Sequence, residues 1–280
     1  MTQTVKAVVF DWAGTMVDFG SCAPVTAMQA VFEASGVPVT EAEVRAHMGK
    51  AKREHVLGMF SDPEVQNRWR AAKGQLPGPS DADHLMIGLE PAMSEAAAKA
   101  SKLIPGALEV FRGLLASGIK VGSSTGYTPT MMAEVARLAR EQGYQPATIL
   151  CAGDTPEGRP APFMLWQAMI NLGVWPARAC VTVDDAPVGI QAGREAGMWT
   201  VGLAGSGNEL GLDAESYFAL STTERRAKLS KAAEAFVAAG ADVVIATVAD
   251  LPSALSIIAD AGAQGLVPGG NIVLDKSITD

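Results

Sequence analysis

Short apolar runs that alternate with helix-period segments constrain this chain more than any other feature. From Ala107 onward the pattern predicts helices over Ala107–Ser117, Thr128–Gln142, Phe163–Leu172, Ile190–Ala196, Thr223–Ala239 and Val248–Ala261. Between them lie strand signals at Ile119–Ser123, Ala147–Cys151, Ala179–Val183, Trp199–Leu203 and Asp242–Ala246. Strands separated by helices must pair in parallel, with both sheet faces covered, because each connection needs a crossover. A further strand signal, Val8-Val9-Phe10, stands alone near the start and runs into Asp11, with a tight turn at Gly14-Thr15.

The segment after this strand has a different character. Pro24 to Gly36 has Pro in its first turn, Val25, Met28, Val31 and Phe32 at helical spacing, and Gly as a stop. Thr40 and Glu43 form a capping-box signature that opens a helix through Met48. Lys52–Phe60, Glu64–Lys73 and Leu85–Lys102 continue the helical pattern, with a loop over Gln75–Ser80. The expected architecture is a doubly wound, parallel-sheet α/β core (residues 1–20 and 103–265) carrying an inserted all-helical cap (21–102). Residues 266–280 lack periodicity and are expected to form a loose tail.

Composition narrows the function classes. The chain of 280 residues is 48% hydrophobic, enough for a sizeable core, and its net charge of −8 argues against a nucleic-acid surface. Cys22, Cys151 and Cys180 are odd in number and lack metal-site spacing, which suggests a reducing compartment. No uncharged run approaches the ~18 residues of a membrane span, and Asp11 interrupts the first apolar stretch, so a cytoplasmic protein with no membrane partner is expected.

Parallel strands place their carboxyl ends on one edge, where open α/β sheets hold ligands. The predicted ends supply Asp11, Ser124-Thr125-Gly126, the Gly153–Pro160 loop with Arg159, and Asp184-Asp185. A carboxylate nucleophile, hydroxyl and N–H donors, a guanidinium and an acidic pair together suit a phosphoryl group and a Mg²⁺ ion. Each residue alone has a plainer explanation: Asp11 and Thr125 as turn residues, Arg159 as a surface cation, Asp184-Asp185 as a helix N-cap pair. Their order and spacing as a set favour the site.

Asp11-x-x-Gly14-Thr15 after an apolar strand resembles the nucleophile motif of the haloacid dehalogenase superfamily, and the cap's position is similar too. Asp11-Trp12-Ala13-Gly14-Thr15 resembles in particular the phosphonoacetaldehyde hydrolase branch, which cleaves a carbon–phosphorus bond. The resemblance implies Asp11 as nucleophile and metal ligand, Ala13 as a carbonyl donor to Mg²⁺, and Asp185 as a metal-binding acid. It implies phosphoryl-holding roles for Thr125 and Gly126, followed by Tyr127-Thr128, and gives Arg159 the place of a cation that is a lysine in other branches. It further extends over Gly158-Arg159-Pro160, Ala196–Gly202 and Gly205–Leu212. One departure stands out. The expected pattern carries a second acid four residues after the metal-binding one, where this chain has Gly189, and the adjacent Asp184 is the candidate to share that job.

Within the cap, Met48-Gly49-x-x-Lys52-x-x-His55 resembles the Schiff-base segment of the same branch. In a continuous helix Met48, Lys52 and His55 would share a face, although Gly49 weakens the helix. The resemblance implies Lys52 as the amine, with Met48 and His55 in support. A neutral amine condenses with an aldehyde, and the iminium then accepts the electrons of the broken bond. Burial and neighbouring cations favour that neutral form, Lys50 and Arg53 being the candidates. The plainer reading makes Lys50, Lys52 and Arg53 a solvated basic face. The resemblance also implies a homodimer joined through the cap, for which Met28, Val31 and Phe32 offer a stripe that would equally serve the cap's interior. The expected activity is hydrolysis of a small phosphonate, phosphonoacetaldehyde. The alternatives are a related carbonyl phosphonate, a phosphomonoesterase or phosphomutase, and a catalytically silent partner-binding relative.

Overall fold

A computed structural model describes residues 5–269 and 273–279; residues 1–4 of the expected core, and 270–272 and 280 of the expected tail, lie outside the described residues. The first strand, β1 (Ala7–Phe10), is followed by five helices: α1 (Cys22–Ala34), α2 (Glu41–Arg45), α3 (Lys52–Met59), α4 (Pro63–Lys73) and α5 (Pro79–Lys99). Then come α6 (Ala107–Ala116), β2 (Lys120–Ser124), α7 (Pro129–Glu141), β3 (Ile149–Leu150), α8 (Phe163–Leu172), β4 (Cys180–Asp184) and α9 (Pro187–Ala196). The chain closes with β5 (Trp199–Leu203), α10 (Ala214–Ala219), α11 (Thr222–Ala239), β6 (Val243–Ile245), α12 (Leu251–Ala263), β7 (Val273–Leu274) and α13 (Lys276–Thr279).

All strand pairings are parallel, in the order β3-β2-β1-β4-β5-β6-β7. β1 lies between β2 and β4, with Phe10 in register with Ser123 on one side and Val183 on the other. Its four residues are fully buried, as expected for a strand covered on both faces. Side chains alternate between two cores: Val8 and Phe10 join Trp12, Val121 and Val183, whereas Ala7 and Val9 join Leu150, Leu165 and Met198. A third cluster of Ile190, Phe236, Val244 and Ile278 fills the outer half.

Two expectations about the core need correction. The loose tail expected from residue 266 instead contributes β7, which pairs with β6 (Val243 opposite Val273), and α13, whose Ile278 is buried. Two strand residues and a single-turn helix are too short to show a period, which hides them in the sequence. The strand expected over Ala147–Cys151 shrinks to Ile149–Leu150, and α10 went unseen for the same reason.

In the cap, the Thr40–Glu43 capping box forms as expected: the Glu43 N–H donates to the Thr40 hydroxyl (3.2 Å) and the Thr40 N–H to the Glu43 carboxylate (2.8 Å). The helix it opens stops at Arg45 rather than Met48. Gly49 has φ of +85°, a left-handed conformation that breaks the run, and a new helix starts at Lys52. The loop expected over Gln75–Ser80 is shorter, because α5 begins at Pro79 and carries Pro91 in its interior. Met28 and Phe32 are fully buried in the chain's own cap, with Phe32 ring-packed against Phe60 and Trp69, so the apolar stripe of α1 serves the interior.

Candidate active site

The carboxyl ends of β1, β2 and β4 meet at one edge of the sheet. Asp11 leaves β1 with its N–H donating to the Val183 carbonyl (2.9 Å), which fixes it beside the end of β4. Trp12 turns inward and donates its indole N–H to the Ser123 hydroxyl (2.9 Å), locking the turn that presents Asp11. Arg159 arrives from the loop after β3. One guanidinium nitrogen lies 2.8 Å from Asp11 Oδ1 and 3.3 Å from Asp184 Oδ2, and another donates to the Ser124 carbonyl and hydroxyl. The fork geometry of arginine suits this bridging of two carboxylates and a strand end.

Asp11, Asp184 and Asp185 each place a carboxylate oxygen within 4.8 Å of the others, all buried. Burial raises all three pKa values, Asp184 to about 7 and Asp185 well above the usual carboxylate range; the Asp11 charge adds to both shifts. Arg159 opposes the rise at Asp11, and its own pKa stays high against burial because Asp184 and Asp11 face it. Three hard oxygen donors under mutual repulsion suit a hard divalent cation, which would relieve that repulsion. Backbone yields space here: a Cβ at Gly14 would lie 2.2 Å from Asp185 Oδ2, and one at Gly207 would lie 2.3 Å from Asp185 Cβ.

The departure at Gly189 has a steric explanation. A Cβ at that position would lie 2.0 Å from Asp184 Cγ. The Asp184 carboxyl group thus occupies the space a side chain on α9 would need. Its Oδ1 also accepts the Ala186 N–H (3.0 Å), so the acid is held by its own turn.

The cap closes over this edge. A narrow cavity of about 20 Å³ is lined by Asp11, Ala13, Met48, Lys52, Thr125, Gly126, Tyr127, Arg159 and Asp185, together with Ser21, Pro24, Gly49 and Lys50. Of the residues singled out in the sequence, His55, Asp184, Ser124 and Arg53 are not part of its wall. Sequence reasoning did not single out Ser21 and Pro24, whose positions at the strand-to-cap connection were the available signal. The Thr125 hydroxyl accepts the Tyr127 N–H (3.2 Å), and Gly126 packs so closely on the cap loop that its Cβ would lie 2.6 Å from the Lys50 carbonyl.

Met48, Lys52 and His55 do not share one continuous helix, because Gly49 separates Met48 from α3. Met48 and Lys52 nonetheless line the same cavity, and His55, also buried, lies near enough to feel the Lys52 charge. Among the described residues Lys52 makes no hydrogen bond or ion pair; its ammonium lies 5.2 Å from the Tyr127 ring centroid. Burial pulls its pKa down to about 8, against the pull of the Asp11 and Asp185 carboxylates; Arg159 is a cation that helps. The expected helpers do not contribute in that way: Arg53 is exposed and paired with Asp83 (2.7 Å), and Lys50 offers its backbone to the wall. His55 bonds the Val44 carbonyl through Nε2 (2.7 Å), which makes Nε2 the protonated nitrogen and leaves buried Nδ1 without a partner. Burial keeps the His55 pKa well below its ordinary value, with the Lys52 charge second. The Tyr127 hydroxyl is likewise buried and unpartnered, its pKa raised well above that of a free phenol by burial.

Among the described residues no helix is long and apolar enough to cross a membrane. The family model for haloacid dehalogenase-like hydrolases matches residues 5–197. A phosphonoacetaldehyde hydrolase from Hahella chejuensis is 42% identical over 264 residues, 94% of this chain and 90% of the relative. One from Paraburkholderia phytofirmans is 44% identical, covering 88% and 92%. The crystal structure of a phosphonoacetaldehyde hydrolase-like protein from Oleispira antarctica superimposes with a TM-score of 0.93 at 43% identity, covering 94% of this chain and 96% of that one. The chain therefore belongs to the haloacid dehalogenase-like hydrolases, and within them to the phosphonoacetaldehyde hydrolase family.

Proposed function

We propose that this protein hydrolyses the carbon–phosphorus bond of phosphonoacetaldehyde to acetaldehyde and phosphate. The observation that carries the reading is one cavity holding a desolvated lysine amine and an aspartate carboxylate, with Ala13 where an ester-cleaving relative would need an acid. The reaction requires both groups. The Lys52 amine adds to the aldehyde and expels water, giving an iminium. An Asp11 oxygen attacks phosphorus; as the carbon–phosphorus bond breaks, its electron pair forms the enamine double bond and neutralises the nitrogen. The enamine takes a proton at carbon, and water releases acetaldehyde and free Lys52. A second water hydrolyses the aspartyl-phosphate. Across the cycle one water is expelled and two are consumed, so the net reaction uses one.

The leaving group is carbon, so no residue has to protonate a leaving oxygen, and Ala13 is consistent with that. Arg159, with Thr125 and Gly126, would hold the phosphonate oxygens. Asp11, Asp185 and the Ala13 carbonyl would hold Mg²⁺, with Asp184 beside them. Bound there, the ion supplies positive charge that counters the repulsion between an anionic phosphonate and a carboxylate nucleophile. A phosphomonoesterase or phosphomutase reading leaves Lys52 without a task and the leaving alkoxide without a proton. The deciding experiment measures acetaldehyde release from phosphonoacetaldehyde by the purified protein with and without Mg²⁺. Metal-dependent release is expected, and a folded protein that releases none would overturn the reading.

A further inference from the structure

One sequence motif has no role in the chemistry above: Gly205-Ser206-Gly207-Asn208-Glu209-Leu210-Gly211-Leu212, on the core beside the acidic edge. Among the described residues it is hydrogen-bonded by one cap side chain, Arg45, the last residue of α2. One Arg45 guanidinium nitrogen donates to the Gly20 carbonyl (2.9 Å) and to Asn208 Oδ1 (3.3 Å), and the other terminal nitrogen donates to the Gly211 carbonyl (3.2 Å). The Asn208 side-chain amide returns a bond to the Arg45 backbone carbonyl (3.2 Å). Gly211 makes room for this contact, since its Cβ would lie 2.8 Å from Arg45 Nε. Asn208 also donates its backbone N–H to Asp185 Oδ2 (2.8 Å), so one residue touches both the acidic edge and the cap.

We propose that Arg45 and Asn208 form the latch that holds the cap closed, and that Arg45 is a positioning residue for Lys52. Its place in the chain supports this: Arg45 immediately precedes the segment through Met48, Gly49 and Lys50 that walls the cavity and leads into Lys52. Volume supports it as well. The cavity's space of about 20 Å³ admits a water molecule, not a phosphonate. Beside it lies an open cleft of about 610 Å³ that shares Met48 and Lys50 with the cavity and is lined by Arg45 and Asn208. Releasing the latch joins cleft to cavity, and re-forming it around substrate brings Lys52 to the aldehyde. An arginine that merely ended a helix would need only Glu41, with which it also pairs (2.7 Å). Its side chain is only 13% exposed and reaches two carbonyls and an amide across the domain boundary.

The catalytic meaning of the latch rests on the role proposed for Lys52. The test combines steady-state kinetics on phosphonoacetaldehyde with amide hydrogen exchange over residues 46–52, in the wild type, Arg45→Ala, Arg45→Lys and Asn208→Ala. Loss of charge-assisted hydrogen bonds predicts a KM about tenfold to a hundredfold higher in Arg45→Ala, with kcat within about threefold and faster exchange in that segment. Arg45→Lys, able to reach fewer acceptors, falls between it and the wild type, and Asn208→Ala raises KM about threefold to tenfold. Unchanged KM and exchange in these variants, or a loss carried by kcat alone, would overturn the latch. If Arg45→Ala does not fold, the other two variants decide the question. A wild type that releases no acetaldehyde sinks the proposed reaction instead, and hydrogen exchange then judges the latch alone.

Discussion

The two faces of the cavity solve opposite electrostatic problems. On the core face, three buried carboxylates and one guanidinium are tied together, and Arg159 spends its donors on Asp11, Asp184 and Ser124. On the cap face, Lys52 is equally buried but makes no hydrogen bond or ion pair among the described residues, and the unpartnered His55 Nδ1 and Tyr127 hydroxyl are buried near it. The core face is built to concentrate charge and the cap face to suppress it. Held apart by the fold, these settings let a charged carboxylate cluster and an amine whose pKa is pulled down to about 8 line one cavity.

The largest effect comes from removing one face at a time. Lys52→Arg should reduce carbon–phosphorus cleavage to background with the fold intact, and borohydride should then trap no adduct. Asp11→Asn should also stop turnover, yet leave Lys52 able to form an imine that borohydride fixes as a mass increase on the protein. Loss of trapping in Asp11→Asn would show that the faces do not act separately.

Stability sharpens the contrast next. Lys52 has a folded pKa below its unfolded one, so between about pH 8 and the usual lysine range the unfolded chain binds more protons and stability rises with pH. Below about pH 8 the full penalty of burying the ammonium applies. Lys52→Met should therefore stabilise the fold at pH 7 by roughly 2–3 kcal/mol, with the gain fading as pH rises toward 10.5 in urea titrations. The same depression should appear in activity, with imine formation accelerating as pH climbs through about 8.

On the core face the prediction concerns the ion. Mg²⁺ should raise the wild-type thermal midpoint, and a chelator should abolish turnover; Asp185→Asn should be less responsive to Mg²⁺ because a ligand and its charge are gone. The smallest effect is expected at Arg53, whose exposed pairing with Asp83 lies outside both settings: Arg53→Ala should leave turnover within about twofold and the midpoint within about a degree.

Much of this was legible in the chain. Strand ends announce themselves as polar residues after apolar runs, as Asp11, Thr125 and Asp185 do, and Arg159 stands in the loop that follows β3. Lys52 is legible through the resemblance of the segment around it, whereas the face it would share with Met48 and His55 in a continuous helix does not form. Gly49 breaks the helix, and Met48 and Lys52 reach the cavity from separate segments. The contact between Arg45 and Asn208 was out of reach because it depends on two segments meeting across the fold. Periodicity reports one segment's burial and is silent about its partner.

The place of β1 has a consequence for how the chain is made. Its partners are β2 and β4, and Ala7 pairs with Cys180, which lies 173 residues later in the chain (180 − 7). At about 5–20 residues per second, a nascent chain waits roughly ten to thirty-five seconds between translating β1 and translating β4. Through that interval Ala7-Val8-Val9-Phe10, among the most apolar and β-prone residues of the chain, lacks the neighbour that will bury its second edge. The strand that leads into Asp11 is therefore also the stretch whose protection during synthesis matters most to the yield of folded protein.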